Sequence, residues 1–115
     1  GLAAGSDWPV SSADPLQAIH VAVNRVSADG ERPPLGDLRQ KLTLTQALNA
    51  YTQGTARINH LDQVTGWLLP GYFADLAILD RNLFDQDPAR LHEARVDETW
   101  IEGERVYRRS PSTPQ

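Results

Sequence analysis

The sequence predicts an α+β fold, with helices in the first half of the chain and antiparallel strands in the second. Apolar residues recur with helical spacing in two segments, Pro15–Ala28 and Leu44–Gln53. From Gly66 onward the apolar residues form short runs that turn signals separate, which is typical of strands. The change of spacing at this glycine therefore predicts that the sheet follows the helices.

Before the first helix, Leu2–Ala4 is a short apolar run that we expect to form a strand with Asp7 at its polar tip. Asp14 then predicts the start of the helix, because its carboxylate can accept from the free N–H groups of the first turn, and Pro15 fits the first helical position. The apolar face of this helix comprises Leu16, Ile19, Val23 and Val26. Gly30 predicts the left-handed residue that ends it.

The second helix has a capping box, with Thr43 at the cap and Gln46 three residues later. Gly54 weakens a helix by about 1 kcal/mol relative to Ala. We therefore expect a break near Thr52–Gly54 and a second short helix over Thr55–Asn59.

Two hairpins are expected to form the sheet. In the first, the strands Gly66–Leu69 and Ala74–Leu79 flank a turn at Pro70-Gly71. The second of these runs is apolar on both faces, which predicts a covered central strand.

The second hairpin consists of Val96–Ile101 and Glu104–Arg108, with Glu102-Gly103 as its two-residue turn. Trp100 and Val106 are expected on the packed face. Between the hairpins, Asp87-Pro88 predicts a short helical turn through Leu91.

Composition excludes several classes of function. The chain has 115 residues and a formal net charge of −4, so its charge does not favour nucleic acid or an anionic membrane as a partner. It has no cysteine, hence no thiolate nucleophile and no cysteine metal site. No apolar run approaches the roughly 18 residues of a membrane span. We expect a cytoplasmic protein.

The three histidines do not form a recognisable ligand set. We expect His20 on the surface, because it lies outside the apolar face and has no second ligand four residues later. His60 falls at a helix C-terminus, where a cation suits the helix dipole. His92 has no ligand partner nearby in the sequence. Asp7, taken alone, is a turn former.

Four segments in this order resemble one known group of proteins. They are Gly5–Val10 (GSDWPV), Leu42–Thr52 (LTLTQALNAYT), Gly66–Asp80 (GWLLPGYFADLAILD) and Thr99–Tyr107 (TWIEGERVY). Together they resemble the C-terminal part of the amidohydrolase superfamily, in the family-3 type that is similar to D-aminoacylases. The resemblance covers Leu2–Arg108.

The resemblance implies a fragment of a larger fold. Residues 1–62 would be the last strand and the following helices of a (β/α)8 TIM barrel that carries a metal-dependent hydrolase. Residues 63–109 would be the C-terminal strands of the small composite β-sandwich domain, and 110–115 a disordered tail. Since the N-terminal barrel and its partner strands would be missing, we expect the chain to self-associate through unpaired strand edges.

The resemblance also implies a chemistry. Such enzymes hydrolyse amide or cyclic amide C–N bonds in non-peptide small molecules, using water activated by a divalent metal, which we expect to be zinc. Asp7 falls on the family's aspartate after the eighth strand, a metal ligand and catalytic proton acceptor. Because the chain lacks the family's His-x-His and its other histidine ligands, we expect it to be inactive alone and to bind no metal tightly.

Two alternatives stay open from the sequence. The chain could be a non-catalytic binding or regulatory module that retains the fold, or a purely structural interaction domain. An upstream reading frame that encodes the histidine ligands would favour the enzyme, whereas a start codon just before Leu2 would favour the module.

Overall fold

The computed structural model describes residues 1–7, 9, 12–31, 33–34 and 36–110. Its helices precede its sheet, as predicted. The helical elements are α1 (Pro15–Asn24), α2 (Leu44–Asn49), a π-helical turn (Ala50–Gly54) and α3 (Thr55–Ile58). The strands are β1 (Leu76–Leu79), β2 (Val96–Ile101) and β3 (Glu104–Arg108). Short 3₁₀ helices form at Leu38–Gln40, Leu83–Asp85 and Pro88–Glu93.

The first helix begins as predicted but ends early. The Asp14 carboxylate accepts a hydrogen bond from the Leu16 N–H at 2.9 Å. The helix stops at Arg25 instead of near Ala28, because Arg25 adopts a left-handed conformation with φ of 61°. Its N–H donates to the Val21 carbonyl at 2.7 Å, which closes the last turn. Since left-handed arginines are uncommon, the residue type gave no sign of this stop.

The second helix carries the predicted capping box. The Gln46 N–H donates to the Thr43 hydroxyl at 3.1 Å, and the Thr43 N–H donates to the Gln46 side chain at 2.9 Å. The expected break at Thr52–Gly54 is wrong, since the chain passes through the π-helical turn directly into α3.

The N-terminal segment Leu2–Ala4 does not form the expected strand. It lies against the π-helical turn, where the Ala4 N–H donates to the Ala50 carbonyl at 3.0 Å. Gly54 permits this approach, because a Cβ at that position would overlap the Leu2 carbonyl. Leu2–Ala4 therefore packs on a helix surface and the prediction that it forms a strand is wrong.

The sheet is antiparallel, with its three strands in the order β1-β2-β3. The second hairpin has the predicted bounds on both strands. Its turn residues, Glu102 and Gly103, have φ of 50° and 80°, the pair of positive angles that a two-residue type I′ turn requires. Trp100 is partly buried as expected, whereas Val106 is exposed and does not pack.

The first hairpin differs from its prediction. The turn at Pro70-Gly71 forms, with the Tyr72 N–H donating to the Leu69 carbonyl at 3.1 Å. However, Gly66–Leu69 is not a strand, and the other arm is a strand only over Leu76–Leu79.

The prediction that this second arm is a covered central strand is also wrong. β1 lies at the edge of the sheet, and Ile78 is 43% exposed. β1 has β2 as its neighbour on one side, and no other described strand pairs with its outer side.

The core lies between α1, the 3₁₀ helices and the start of the sheet. Its fully buried members are Leu16, Leu83, Leu91 and Ala94. Partly buried side chains from α2 and from β1 and β2 pack against them. The 3₁₀ helix Pro88–Glu93, which the sequence predicted from Asp87-Pro88, supplies the most buried of these leucines.

The described residues contain no helix with the length and apolar character that a membrane span needs. Positions 111–115 of the predicted disordered tail lie outside the described residues. The assignment of residues 1–62 and 63–109 to a barrel and a sandwich stays a prediction.

Candidate functional site

Asp7, the residue predicted to be catalytic, lies at the end of the segment that packs on the π-helical turn. The segment is fixed just before it, since the Thr55 hydroxyl donates to the Ala4 carbonyl at 3.0 Å. Asp7 is exposed and has φ of 53°, which places it in the left-handed region that an aspartate tolerates. The structure thus presents this carboxylate to solvent on a well-anchored segment.

The described residues around Asp7 do not complete a metal site. Nowhere in the described ranges do three His, Asp or Glu side chains come together as a metal ion would need. A catalytic zinc typically requires three protein ligands. One carboxylate therefore does not fit such a metal, and a site at Asp7 would need ligands from outside the described residues.

Two of the histidines, which the sequence left without partners, meet in the structure. The Nδ1 atoms of His20 on α1 and His92 on the 3₁₀ helix lie 3.4 Å apart. Their rings meet edge to face with centroids 4.7 Å apart. His20 is only 2% exposed, so the expectation of a surface histidine is wrong.

The sequence did contain a signal for this burial. His20 follows Leu16 by four positions and precedes Val23 by three, and residues at these spacings share one face of a helix. It therefore belongs to the buried face of α1. The partner could not be found in this way, because His92 is 72 residues away in the sequence.

Burial lowers the pKa of His20 below its ordinary value, because the charged ring would lose its hydration. Repulsion by His92 lowers this pKa further, and a hydrogen bond with the Ser27 backbone acts in the opposite direction. The ring of His20 is therefore neutral at neutral pH.

An open cleft of about 720 Å³ is lined by residues of the helices on one side and of β1 on the other. Its walls are largely apolar, with Leu48 and Ala56 on the helical side and Leu76 on the sheet side. Trp67 and Leu68 line its rim, and Leu68 is 75% exposed. The cleft could take an apolar segment or ligand, and no described group of His, Asp or Glu side chains that could hold a metal ion lies in it.

Asp75 is the acidic side chain that borders this cleft. The Thr65 hydroxyl donates to one carboxylate oxygen at 2.6 Å and the Glu102 N–H to the other at 2.8 Å. These hydrogen bonds, the Thr65 bond above all, lower the pKa of the Asp75 carboxyl. Because both oxygens are engaged within the fold, we assign Asp75 a structural role.

A second acidic side chain, Asp80, fastens the end of β1. Both of its oxygens accept from the Arg81 guanidinium at 2.9 Å, and one also accepts from the Arg95 N–H at 3.0 Å. The Arg81 hydrogen bonds are the largest cause that lowers the pKa of the Asp80 carboxyl to about 2. We therefore assign Asp80 a structural role, as for Asp75.

Comparisons with known proteins identify the family to which the chain is similar. The profile of the Amidohydrolase family matches residues 1–107. The chain is 36% identical over 108 residues to YtcJ of Bacillus subtilis (strain 168), which is named as an amidohydrolase, and the match spans 94% of this chain and 20% of that protein. It is 37% identical over 110 residues to the protein LONG AFTER FAR-RED 3 of Arabidopsis thaliana, across 92% of this chain and 18% of that protein.

A crystal structure of an amidohydrolase from Thermotoga maritima MSB8 aligns with 63% of this chain and 17% of its own, at 26% identity and a TM-score of 0.49. The chain thus spans about a fifth of the length of the curated relatives that it matches. The family profile covers nearly all of the chain, and it agrees with the order of motifs in the sequence. The chain belongs to the amidohydrolase family.

Proposed function

We propose that this chain is the C-terminal segment of a metal-dependent amidohydrolase-like enzyme that hydrolyses amide or cyclic amide C–N bonds in small, non-peptide molecules. The observation that carries the proposal is the family match over residues 1–107, which includes the Asp7 motif. In this proposal the protein is cytoplasmic and its divalent metal is zinc.

Asp7 is the residue of this chain that we propose for the chemistry. Its exposed carboxylate can accept a proton from an attacking water or serve as one of several ligands. The described residues supply no second and third ligand beside it. We therefore propose that the rest of the site comes from a preceding barrel segment, and that this chain has no activity alone.

The proposal is tested in a longer protein that contains this chain. Asp7→Asn keeps the shape of the side chain but removes its negative charge and its proton affinity. We expect turnover of N-acyl amino acids or cyclic amides to fall by at least about two orders of magnitude, the scale of losing a general base. Asp62→Asn, at a partly buried aspartate with no proposed role, is the matched control and should leave turnover unchanged.

One observation favours a second candidate function. Because the described residues hold no complete ligand set, the chain could be a non-catalytic binding or regulatory module of the same family. Normal turnover in the Asp7→Asn protein would contradict the role of Asp7. A longer protein that hydrolyses no amide and contains no bound metal would support the module.

A further inference from the structure

The contact between His20 and His92 joins two elements that are far apart in the sequence. His20 lies on α1, and His92 lies on the 3₁₀ helix Pro88–Glu93. Both elements contribute to the main apolar core, through Leu16 and Leu91. A change in the histidine contact would therefore act directly on the packing of α1 against the sheet half of the chain.

The distance of 3.4 Å between the two Nδ1 atoms indicates that one of these nitrogens carries a hydrogen and the other accepts it. Two neutral Nδ1 atoms that both presented lone pairs at 3.4 Å would repel each other, whereas one Nδ1–H donating to the other nitrogen makes a hydrogen bond. Asn24 does not supply this proton, because its amide N–H groups donate to the His20 carbonyl at 3.0 Å and to the Pro88 carbonyl at 2.9 Å. The amide nitrogen lies 3.5 Å from the His20 Nδ1 and bonds it weakly at most.

We propose that His20 and His92 form a pH-sensitive clasp between α1 and the 3₁₀ helix Pro88–Glu93. His92, which is only partly buried, donates its Nδ1–H to the Nδ1 of the fully buried His20. When the Nδ1 of His20 gains a proton, its N–H faces the N–H of His92. The hydrogen bond between the two rings is then lost, and the clasp opens.

The neighbouring charges do not offset a cation at this position. His20 is the one ionisable side chain on α1, and α2, which packs beside it, has none. On the 3₁₀ helix, Glu93 is already engaged by Arg90 at 2.6 Å and by Arg81 at 3.9 Å. The remaining ionisable group on that helix is His92 itself.

The direction of the pH effect follows from proton linkage. The pKa of His20 is lower in the folded chain than in an unfolded one. The unfolded or opened state therefore binds more protons below about pH 6.5, the ordinary pKa of a histidine. The clasp contributes its full stability above that pH and loses it as the pH falls toward the folded pKa of His20.

Hydrogen exchange of the 115-residue chain at pH 7.5 and pH 5.5 tests the clasp. Protection factors correct for the pH dependence of the chemical exchange itself. We expect the amides of α1 and of residues 88–93 to lose protection at pH 5.5, by up to about ten-fold, the most that a one-unit drop below the unfolded pKa allows. The amides of the β2–β3 hairpin should lose less.

Two variants separate the clasp from general acid sensitivity. His20→Gln removes the titrating group and should make the protection of α1 equal at the two pH values. His60→Gln changes an exposed histidine and should leave the loss unchanged. Should His20→Gln fail to fold, the NMR titration of His20 in the unaltered chain decides, since its midpoint should lie below about 6.5, the ordinary pKa of a histidine. Equal protection of α1 at both pH values, an equal loss across the hairpin, or a His20 midpoint at or above 6.5 would each overturn the proposal.

Discussion

The Thr65 hydroxyl donates a hydrogen bond of 2.6 Å to the Asp75 carboxylate, and this bond joins the two sides of the turn at Pro70-Gly71. The same carboxylate accepts from the Glu102 N–H at 2.8 Å. One side chain thus holds the first turn against the turn of the β2–β3 hairpin. It does so although the first arm of the predicted hairpin is not a strand.

This relationship predicts energetic coupling between the two residues. Thr65→Val and Asp75→Asn should each destabilise the chain, and the double variant should lose less than the sum, with a coupling of about 1–2 kcal/mol for a hydrogen bond to a charged group. Urea unfolding of the four proteins measures the coupling. Thr65→Ser, which keeps the hydroxyl, is the control, and strictly additive effects would contradict the prediction.

The low pKa of Asp80 predicts that this residue stabilises the fold at neutral pH and stops doing so in acid. Its pKa of about 2 in the folded chain lies below the unfolded value of 3.8, so its contribution is present above about pH 4 and is lost as the pH falls toward 2. Asp80→Asn should cost about 1–3 kcal/mol at pH 7. Thermal unfolding followed by circular dichroism should show this difference shrinking between pH 4 and pH 2. A difference that stays constant across this range would show that the charge of Asp80 is not the cause.

Gly54→Ala should have the opposite effect on stability from the one that helix propensity predicts. In a helix, alanine is favoured over glycine by about 1 kcal/mol. At this position, however, a Cβ would overlap the Leu2 carbonyl and displace the segment before Asp7. Gly54→Ala should therefore expose the Ala4 amide, which now donates to Ala50, and hydrogen exchange should report its lost protection.

The neighbouring variant Gln53→Ala, in the same turn, is the control for that experiment. It should leave the Ala4 amide protected. A Gly54→Ala chain with a higher melting temperature and an unchanged Ala4 amide would contradict the close approach.

Metal binding by the chain alone should be weak. Because the described residues bring no three ligands together, isothermal titration with zinc should show no tight one-to-one binding, and the chain should hydrolyse no amide. Asp7→Asn should leave the titration unchanged. Tight stoichiometric binding would mean that we have assigned the metal chemistry to the wrong residues.

The apolar cleft predicts self-association. Trp67 and Leu68 are exposed at its rim, and β1 presents the edge of the sheet beside it. We expect the mass from light scattering to rise with concentration. Leu68→Gln should reduce this rise, whereas Leu38→Gln, at a leucine that is 52% exposed and does not line the cleft, should not. A monomer mass at every concentration would contradict the prediction.

Local signals predicted the local structure well. The bounds of Val96–Ile101 and Glu104–Arg108 are correct, because β-branched and aromatic residues on both sides of a Glu-Gly turn specify a hairpin without help from distant residues. The capping box at Thr43 and the cap at Asp14 are correct for the same reason. The order of motifs was sufficient to indicate the family.

Features that depend on distant contacts were not predicted. The burial of His20 depends on a 3₁₀ helix that follows it by more than sixty residues. The segment Gly66–Leu69 has apolar residues but no strand beside it in the described part of the chain, so its composition alone suggested a strand wrongly. The described residues do not provide the further metal ligands that Asp7 would need. No sequence pattern among these residues could therefore locate such a site.

The π-helical turn has a consequence for insertions and deletions. Such a turn contains one residue more than a regular α-helical path, and at this point the Ala50 carbonyl accepts from both Ala4 and the Thr55 hydroxyl. Deleting a single residue within Ala50–Gly54 would restore regular winding and leave the helix after it nearly in phase, because five residues of a π-helical turn advance the chain about as far round the axis as four residues of an α-helix. A deletion within the regular turn of α2 would instead rotate the residues that follow by about 100° and turn Ala56 away from its buried position, so length differences among homologous proteins should fall in the π-helical turn and not in α2.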